Sequence, residues 1–429
     1  MDIQAILKKL ENCPCGVRHT AALERVEIGH GLRYRAGEIL ADFGFPKNVL
    51  LVADVNTLRA SAGVLDSLRA AGFHLKKLIY ENFLYARAEQ VEEVAALAAD
   101  VDGIISVGSG SLNDICRVPA ARMGKKLCLF ATAPSMDGFA SDTSPILRNN
   151  YKETWRAEQP AIIIADTEIL AAAPQELKAA GLGDMIAKFV AITDWKISNI
   201  LTGEYFCDAI AEMTLDAVRR CMALADRIPE RDEEAAAAVM EALILSGLAM
   251  KLEGCSRPAS GAEHMTSHFL EDYKCLRGIF PEFHGRKVGV ATLLIAHAYR
   301  RIAGEVRSVE AGADPLDLDA LLARFDPEFR ADIAAMNRGT ITDVVRPEAV
   351  QEKWQEIRAA ILRYIPSDET LLDAMTAAGA ATTIEDIHVP APLMREALVC
   401  HSYMRHRIYL TRILPMAGVD LLDYVDLGR

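Results

Sequence analysis

The sequence predicts an α/β protein in two parts. A doubly wound, mostly parallel sheet forms the N-terminal part, an all-α C-terminal part follows, and a cleft lies between them. Three observations carry this. Short apolar runs alternate with helix-period stretches over the first 170 residues or so, the pattern of a parallel sheet covered on both faces. After Pro174 long alanine- and leucine-rich helical stretches take over, such as 233–252. Between an apolar run and a helix stands Ser106-Val107-Gly108-Ser109-Gly110-Ser111, a loop suited to cradling phosphate.

Taken in order, residues 48–54 read as a buried strand, and a helix-period stretch runs from 59 to about 71, where Gly72 stops it. Strand 77–80 and helix 91–99 come next, then strands 103–107, 126–131 and 160–165. The Arg257-to-Gly261 loop interrupts the later helices. There is no tandem repeat and no flexible linker, so the boundary is expected near residue 175, giving parts 1–175 and 176–429.

At 429 residues the chain is long enough for two domains and a large core. A formal charge of −13 argues against general nucleic-acid or anionic-membrane binding, for which a basic footprint is needed. The first residues are amphipathic without a signal peptide's apolar core, and cytoplasm is the expected setting. Nine cysteines, mostly in apolar surroundings, fit reduced thiols rather than a disulfide framework. Cys13-Pro14-Cys15-Gly16 with His19 is the one suspicious cluster. No second ligand pair follows it, and a structural turn is the preferred reading over a metal or redox role.

Candidate chemistry falls into two groups. Gly108, Ser109, Gly110 and Ser111, with Asn113-Asp114 opening the helix, would let backbone approach a pyrophosphate. Asp54, ending the first strong strand, can accept from a ribose diol and repel a 2′-phosphate, favouring NAD over NADP; the competing role is a helix cap. Thr132, Ser135, Asp137 and Ser141 follow a strand with small hydroxyls and one acid, and such a segment can thread past a nicotinamide and a small polyol. In the second group, Asp184 after Gly181-Leu182-Gly183 reads as an acidic helix start with Lys188 one turn on, which taken alone is a surface ion pair. Two histidines downstream, His264 and His284, complete three ligands with an open metal position. His268, four residues after His264, is either a ligand or a neighbour of the metal.

Together these segments resemble the sn-glycerol-1-phosphate dehydrogenases, within the superfamily of metal-dependent alcohol dehydrogenases, glycerol dehydrogenases and dehydroquinate synthases. The resemblance covers roughly residues 30–310. It rests on the Gly-Ser-Gly-Ser loop, Thr132-Ala133-Pro134-Ser135-Met136-Asp137-Gly138, Gly181-Leu182-Gly183-Asp184-Met185-Ile186-Ala187-Lys188, Ser256-Arg257-Pro258-Ala259-Ser260-Gly261-Ala262-Glu263-His264, and His284-Gly285 with Val288-Gly289. It implies one divalent ion on Asp184, His264 and His284, zinc in most members and nickel in some bacterial ones. It further implies Asp137 against substrate and nicotinamide, Lys188 near substrate, His268 beside the metal, and Arg257 on the substrate phosphate. The departures are an extended C-terminus and Gly-Ser-Gly where many relatives carry three glycines.

The expectation is an NAD-dependent oxidoreductase interconverting sn-glycerol 1-phosphate and dihydroxyacetone phosphate, acting as a homodimer or larger homo-oligomer. Its rivals are a glycerol or other polyol dehydrogenase, a dehydroquinate-synthase-like lyase that recycles NAD, and a nucleotide-binding sensor without turnover.

Overall fold

A computed structural model describes residues 1–83, 85–149, 151–339 and 341–428. In chain order the strands are β1 (Arg25–Gly29), β2 (Asn48–Asp54), β3 (His74–Tyr80), β4 (Gly103–Gly108), β5 (Lys126–Ala131), β6 (Thr143–Arg148), β7 (Tyr151–Arg156) and β8 (Ile162–Asp166). Six of them form one sheet in the order β1-β8-β5-β4-β2-β3, and every pairing in it is parallel. Central strands of such a sheet are covered on both faces, and β4 is accordingly buried at every residue. Alternation along the strands divides their side chains between two cores. Val49, Leu51, Ile105, Val107 and Phe130 pack on one face, whereas Leu50, Val52, Ile104 and Leu129 join the core shared with the later helices.

The chain leaves β2 for β3 on one side and then returns past β2 to β4 on the other. The carboxyl ends of β2 and β4 therefore flank the point where strand order reverses, the place where open α/β sheets take ligands. The aligned register Ala53↔Val107 brings Asp54 and Gly108, the last residues of these strands, to the same sheet edge.

Helices used below are α1 (Val55–Ala60), α2 (Gly110–Met123), α3 (Gln175–Ile186), α4 (Lys188–Thr202), α5 (Asp208–Met222), α6 (Glu233–Glu253), α7 (Ala262–Leu276) and α8 (His284–Glu305). Among the described residues every strand lies before residue 167 and helices dominate after it. Among the described residues α6 alone is long and apolar enough to cross a membrane, but most of it is buried inside the fold.

Three elements differ from expectation. The helix expected over 59–71 is two, α1 and Val64–Ala70. Asp54 caps α1 early, and the chain turns at Ser61, whose hydroxyl bonds the Thr57 carbonyl, and at Gly63, which adopts φ +108°. Edge strand β1 was not anticipated. Nor was the antiparallel hairpin β6–β7, whose turn begins at Asn149 with φ +53°.

Candidate active site

A cleft of about 1650 Å³ opens between the carboxyl edge of the sheet and helices α6, α7 and α8. That exceeds the range of roughly 300–1,000 Å³ usual for single small ligands, and leaves room for a dinucleotide with a substrate.

At the sheet end, β4 passes directly into α2. Ser109 is the N-cap but its hydroxyl makes no cap bond, so the first amide groups of α2 remain available to an anion. Gly110 has φ +26°, and a Cβ on Gly108 would stand 2.5 Å from Leu112 Cδ1, so both glycines are needed for the turn. Ser109, Gly110 and Ser111 line the cleft. Asp54 lines it too, and is also the cap of α1: its Oδ1 accepts the N–H groups of Asn56 at 2.7 Å and Thr57 at 2.8 Å. Its Oδ2 takes no hydrogen bond from the described residues. Both readings of Asp54 are thus compatible, one per oxygen.

Asp114 also lines the cleft, but its Oδ1 is held by Arg117 at 2.9 Å. Arg117, fully buried, further reaches the carbonyls of Gly138 and Thr143, so this pair fastens the 138–143 loop onto α2. Burial pushes the Asp114 carboxyl up to about 6 against the pull of Arg117. Thr132, Ser135 and Ser141 line the same wall, the Thr132 amide bonding the Gly108 carbonyl at 3.1 Å.

At the helical end, Asp184 (α3), His264 (α7) and His284 (α8) bring one donor atom each to within 4.8 Å of one another. Asp184 lies in the last turn of α3 rather than at a helix start, and the chain breaks at Ala187 before α4. It meets His284 because α3 and α8 touch backbone to backbone. A Cβ on Gly183 would fall 2.3 Å from the Gly285 carbonyl oxygen, and one on Gly285 would fall 1.9 Å from that of Ala180. His264 Nε2 lies 3.5 Å from Asp184 Oδ1, while its Nδ1 lies 2.6 Å from Glu263 Oε1. Burial lowers the His264 pKa, but its bonds to Asp184 and Glu263 outweigh that and leave it above the ordinary range. The His284 Nδ1 is buried and has no hydrogen-bond partner among the described residues. A convergent carboxylate and two imidazoles, one with an orphaned nitrogen, fit a divalent cation.

Lys188 is fully buried beneath this cluster, not at the surface. Its Nζ bridges Asp184 Oδ1 at 2.7 Å and Asp137 Oδ2 at 2.8 Å, and burial of the ammonium is outweighed by the two carboxylates, which raise its pKa. Asp137 lines the cleft, and Ser246 donates to its Oδ2 at 2.7 Å. His268 lines the cleft as well, its ring centroid 5.9 Å from that of His284. Burial pushes it down to about 3, so it is a neutral imidazole.

The structure separates two expected residues from the cleft. Lys188 holds the carboxylates from behind and does not reach the wall. Arg257 is buried and turned elsewhere: Nε and Nη2 grip Glu204 at 2.8 and 2.6 Å, and Nη1 bonds the Ile408 carbonyl at 2.7 Å. Its fork is engaged with a carboxylate, so in this structure it is not turned to the phosphate expected there. Sequence reasoning also missed Glu263, Lys152 on the hairpin, and Arg405 and Arg407. The last three line the cleft, and the two arginines have no ion-pair partner among the described residues. Adjacent helical residues diverge, so nothing in the Glu263-His264 spacing announces their contact.

A cleft that offers a helix N-terminus to a pyrophosphate and a three-donor cation site to an alcohol oxygen defines a metal-dependent NAD(P) dehydrogenase. Comparison with known proteins agrees. Residues 27–174 match the iron-containing alcohol dehydrogenase family. The glycerol-1-phosphate dehydrogenase [NAD(P)+] of Halalkalibacterium halodurans is 35% identical over 313 residues, 71% of this chain and 78% of that protein. Its namesake in Bacillus subtilis is 31% identical, covering 89% of each. Among solved structures, an iron-containing alcohol dehydrogenase from Corynebacterium glutamicum shares the fold with TM-score 0.60 at 15% identity, covering 95% of this chain and 98% of that one. The chain belongs to the glycerol-1-phosphate dehydrogenase family and is an oxidoreductase acting on CH–OH groups.

Proposed function

We propose that the chain interconverts sn-glycerol 1-phosphate and dihydroxyacetone phosphate with NAD as the hydride carrier and zinc or nickel on Asp184, His264 and His284. The observation that carries this reading is the donor set lying across one cleft from the open N-terminus of α2. When bound, the metal supplies a Lewis acid at the substrate oxygen and NAD the hydride acceptor.

The chain's own residues orient and shield. The buried Lys188 holds Asp184 ionised and fixes the spacing of Asp137 and Asp184. Asp137 Oδ1 takes no hydrogen bond from the described residues and is free to accept one from a substrate hydroxyl. His268, a neutral imidazole facing the cleft beside His284, hydrogen-bonds the substrate hydroxyl. Arg405 and Arg407, unpaired cations on the same wall, receive the phosphate in place of Arg257. Asp54 Oδ2 takes the ribose diol. Gly108, Ser109, Gly110 and Ser111 form the pyrophosphate turn, with Asp114, Thr132, Ser135 and Ser141 along the nicotinamide path. The division of labour falls near residue 175, and the working form is a cytoplasmic homo-oligomer.

The test is NADH oxidation by metal-replete protein with dihydroxyacetone phosphate and with dihydroxyacetone. A kcat/KM at least as high on the unphosphorylated ketone would transfer the assignment to a polyol dehydrogenase.

A further inference from the structure

Outside the cleft, the fold brings Cys207 against three side chains of metal-ligating type from the N-terminal arm. Cys13 and Cys15 sit on one turn, closed by the Gly16 amide bonding the Cys13 carbonyl at 3.1 Å, and Gly16 takes φ +76°. His19 follows on the same arm. Cys207, the residue before α5, comes from the connection between α4 and α5. Their donor atoms all lie within 4.8 Å of one another, and none of the four lines the cleft.

The spacing is that of a coordination polyhedron. Cys13 Sγ lies 3.5 Å from Cys207 Sγ, Cys15 Sγ 3.2 Å from His19 Nε2, and Cys207 Sγ 3.9 Å from the same nitrogen. Tetrahedral zinc with Zn–S of about 2.3 Å and Zn–N of about 2.0 Å requires donor separations of about 3.5–3.8 Å, the edge being about 1.6 bond lengths. The measured distances fall around that value. The surroundings also prepare the ligands. His19 Nδ1 is 2.9 Å from the Leu252 carbonyl, which fixes the proton on Nδ1 and leaves the Nε2 lone pair to the cluster. The Tyr205 hydroxyl donates to Cys15 Sγ at 3.3 Å, as outer partners of thiolate ligands do.

We infer that Cys13, Cys15, His19 and Cys207 form a second metal site, structural and closed, for a thiophilic divalent cation of the zinc class. Three thiols release their protons to solvent as the ion binds, and the imidazole enters neutral. Four sulfur and nitrogen donors leave no open position, unlike the cluster of Asp184, His264 and His284. The ion ties the N-terminal arm to the α4–α5 connection and to the end of α6. That same connection carries Glu204, the carboxylate that grips Arg257 in the loop ahead of His264.

Cobalt(II) tests this on the full chain, because only a thiolate site gives an intense sulfur-to-cobalt charge-transfer band and the cleft cluster offers no sulfur. Wild-type protein reduced, stripped and reloaded should show the band with the intensity of one thiolate-bound cobalt per chain, apart from any cobalt taken up by the cleft cluster. Cys15→Ser and Cys207→Ser should lose it, and Cys221→Ser, a buried thiol elsewhere, should keep it. Alkylation of the native protein followed by peptide mapping requires no variant. With zinc present, Cys13, Cys15 and Cys207 should be protected, and a chelator should expose them together. Absence of the band in loaded wild type, labelling indifferent to zinc, or a Cys13–Cys207 disulfide in protein prepared with metal would each overturn the assignment.

Discussion

Arg257→Ala separates a structural arginine from a phosphate-binding one. The substitution removes two charge-assisted bonds to Glu204, one to the Ile408 carbonyl and one to Ser198 Oγ at 3.2 Å. Removing one partner of a buried ion pair costs about 3–5 kcal/mol, because the other charge stays behind. The Glu204 side chain is 32% exposed, however, so water recovers part of that carboxylate. A loss of about 2–4 kcal/mol in folding stability is expected, roughly 30- to 1,000-fold in the folding constant at about 1.4 kcal/mol per decade. Urea unfolding, followed by fluorescence, measures it as a lower midpoint at unchanged slope. Under native conditions kcat/KM should fall by the same factor for dihydroxyacetone phosphate and dihydroxyacetone, since any effect passes through the loop before His264. Arg405→Ala is the contrast: it should spare stability and reduce kcat/KM about 10- to 150-fold on the phosphorylated ketone alone, the worth of one charge-assisted bond. The reasoning fails if Arg257→Ala leaves stability intact while selectively losing the phosphorylated substrate.

Three further outcomes are expected. Asp54→Asn keeps an amide oxygen to cap α1 but removes the charge, so the NADP-to-NAD ratio of kcat/KM should rise without loss of stability; an unchanged ratio would leave Asp54 a cap only. Glu263→Gln weakens the bond that orients His264, and metal affinity by competitive chelator titration should drop about 10- to 100-fold; unaltered affinity would make Glu263 a bystander. Buried His401 is pushed down to about 4 from 6.5, so the unfolded chain binds a proton there that the folded chain does not. Stability is therefore lost as pH falls from about 6.5 to about 4, by up to about 3 kcal/mol from this group. His401→Gln should flatten that part of the stability–pH curve, and an identical slope in both proteins would exclude the assignment.

What could be read from the chain follows from how local each cause is. Strands such as β2, β4 and β5 announce themselves because burial on both faces demands continuous apolar runs. The turn after β4 does so because its glycines answer to local backbone geometry. β1 and the β6–β7 hairpin escape notice since one lies at the sheet edge and the other packs outside it. The three convergent donors Asp184, His264 and His284 were legible through resemblance, whereas their supports were not. Glu263 contacts His264 from the neighbouring position, where spacing rules predict no contact. Arg257 has a motif's position but a partner, Glu204, that only the tertiary structure reveals. Cys207 likewise completes its cluster from almost two hundred residues away.

The close crossing of α3 and α8 has a consequence for how these two motifs can change. At Gly183 the obstacle to a side chain is the Gly285 carbonyl, and at Gly285 it is the Ala180 carbonyl. Both obstacles are main chain, which every amino acid carries alike. A substitution at either glycine therefore has no compensating partner anywhere in the sequence. Related chains should show no correlated variation between the two positions, only parallel invariance, and pairwise covariation would be silent about the crossing that brings Asp184 to His284.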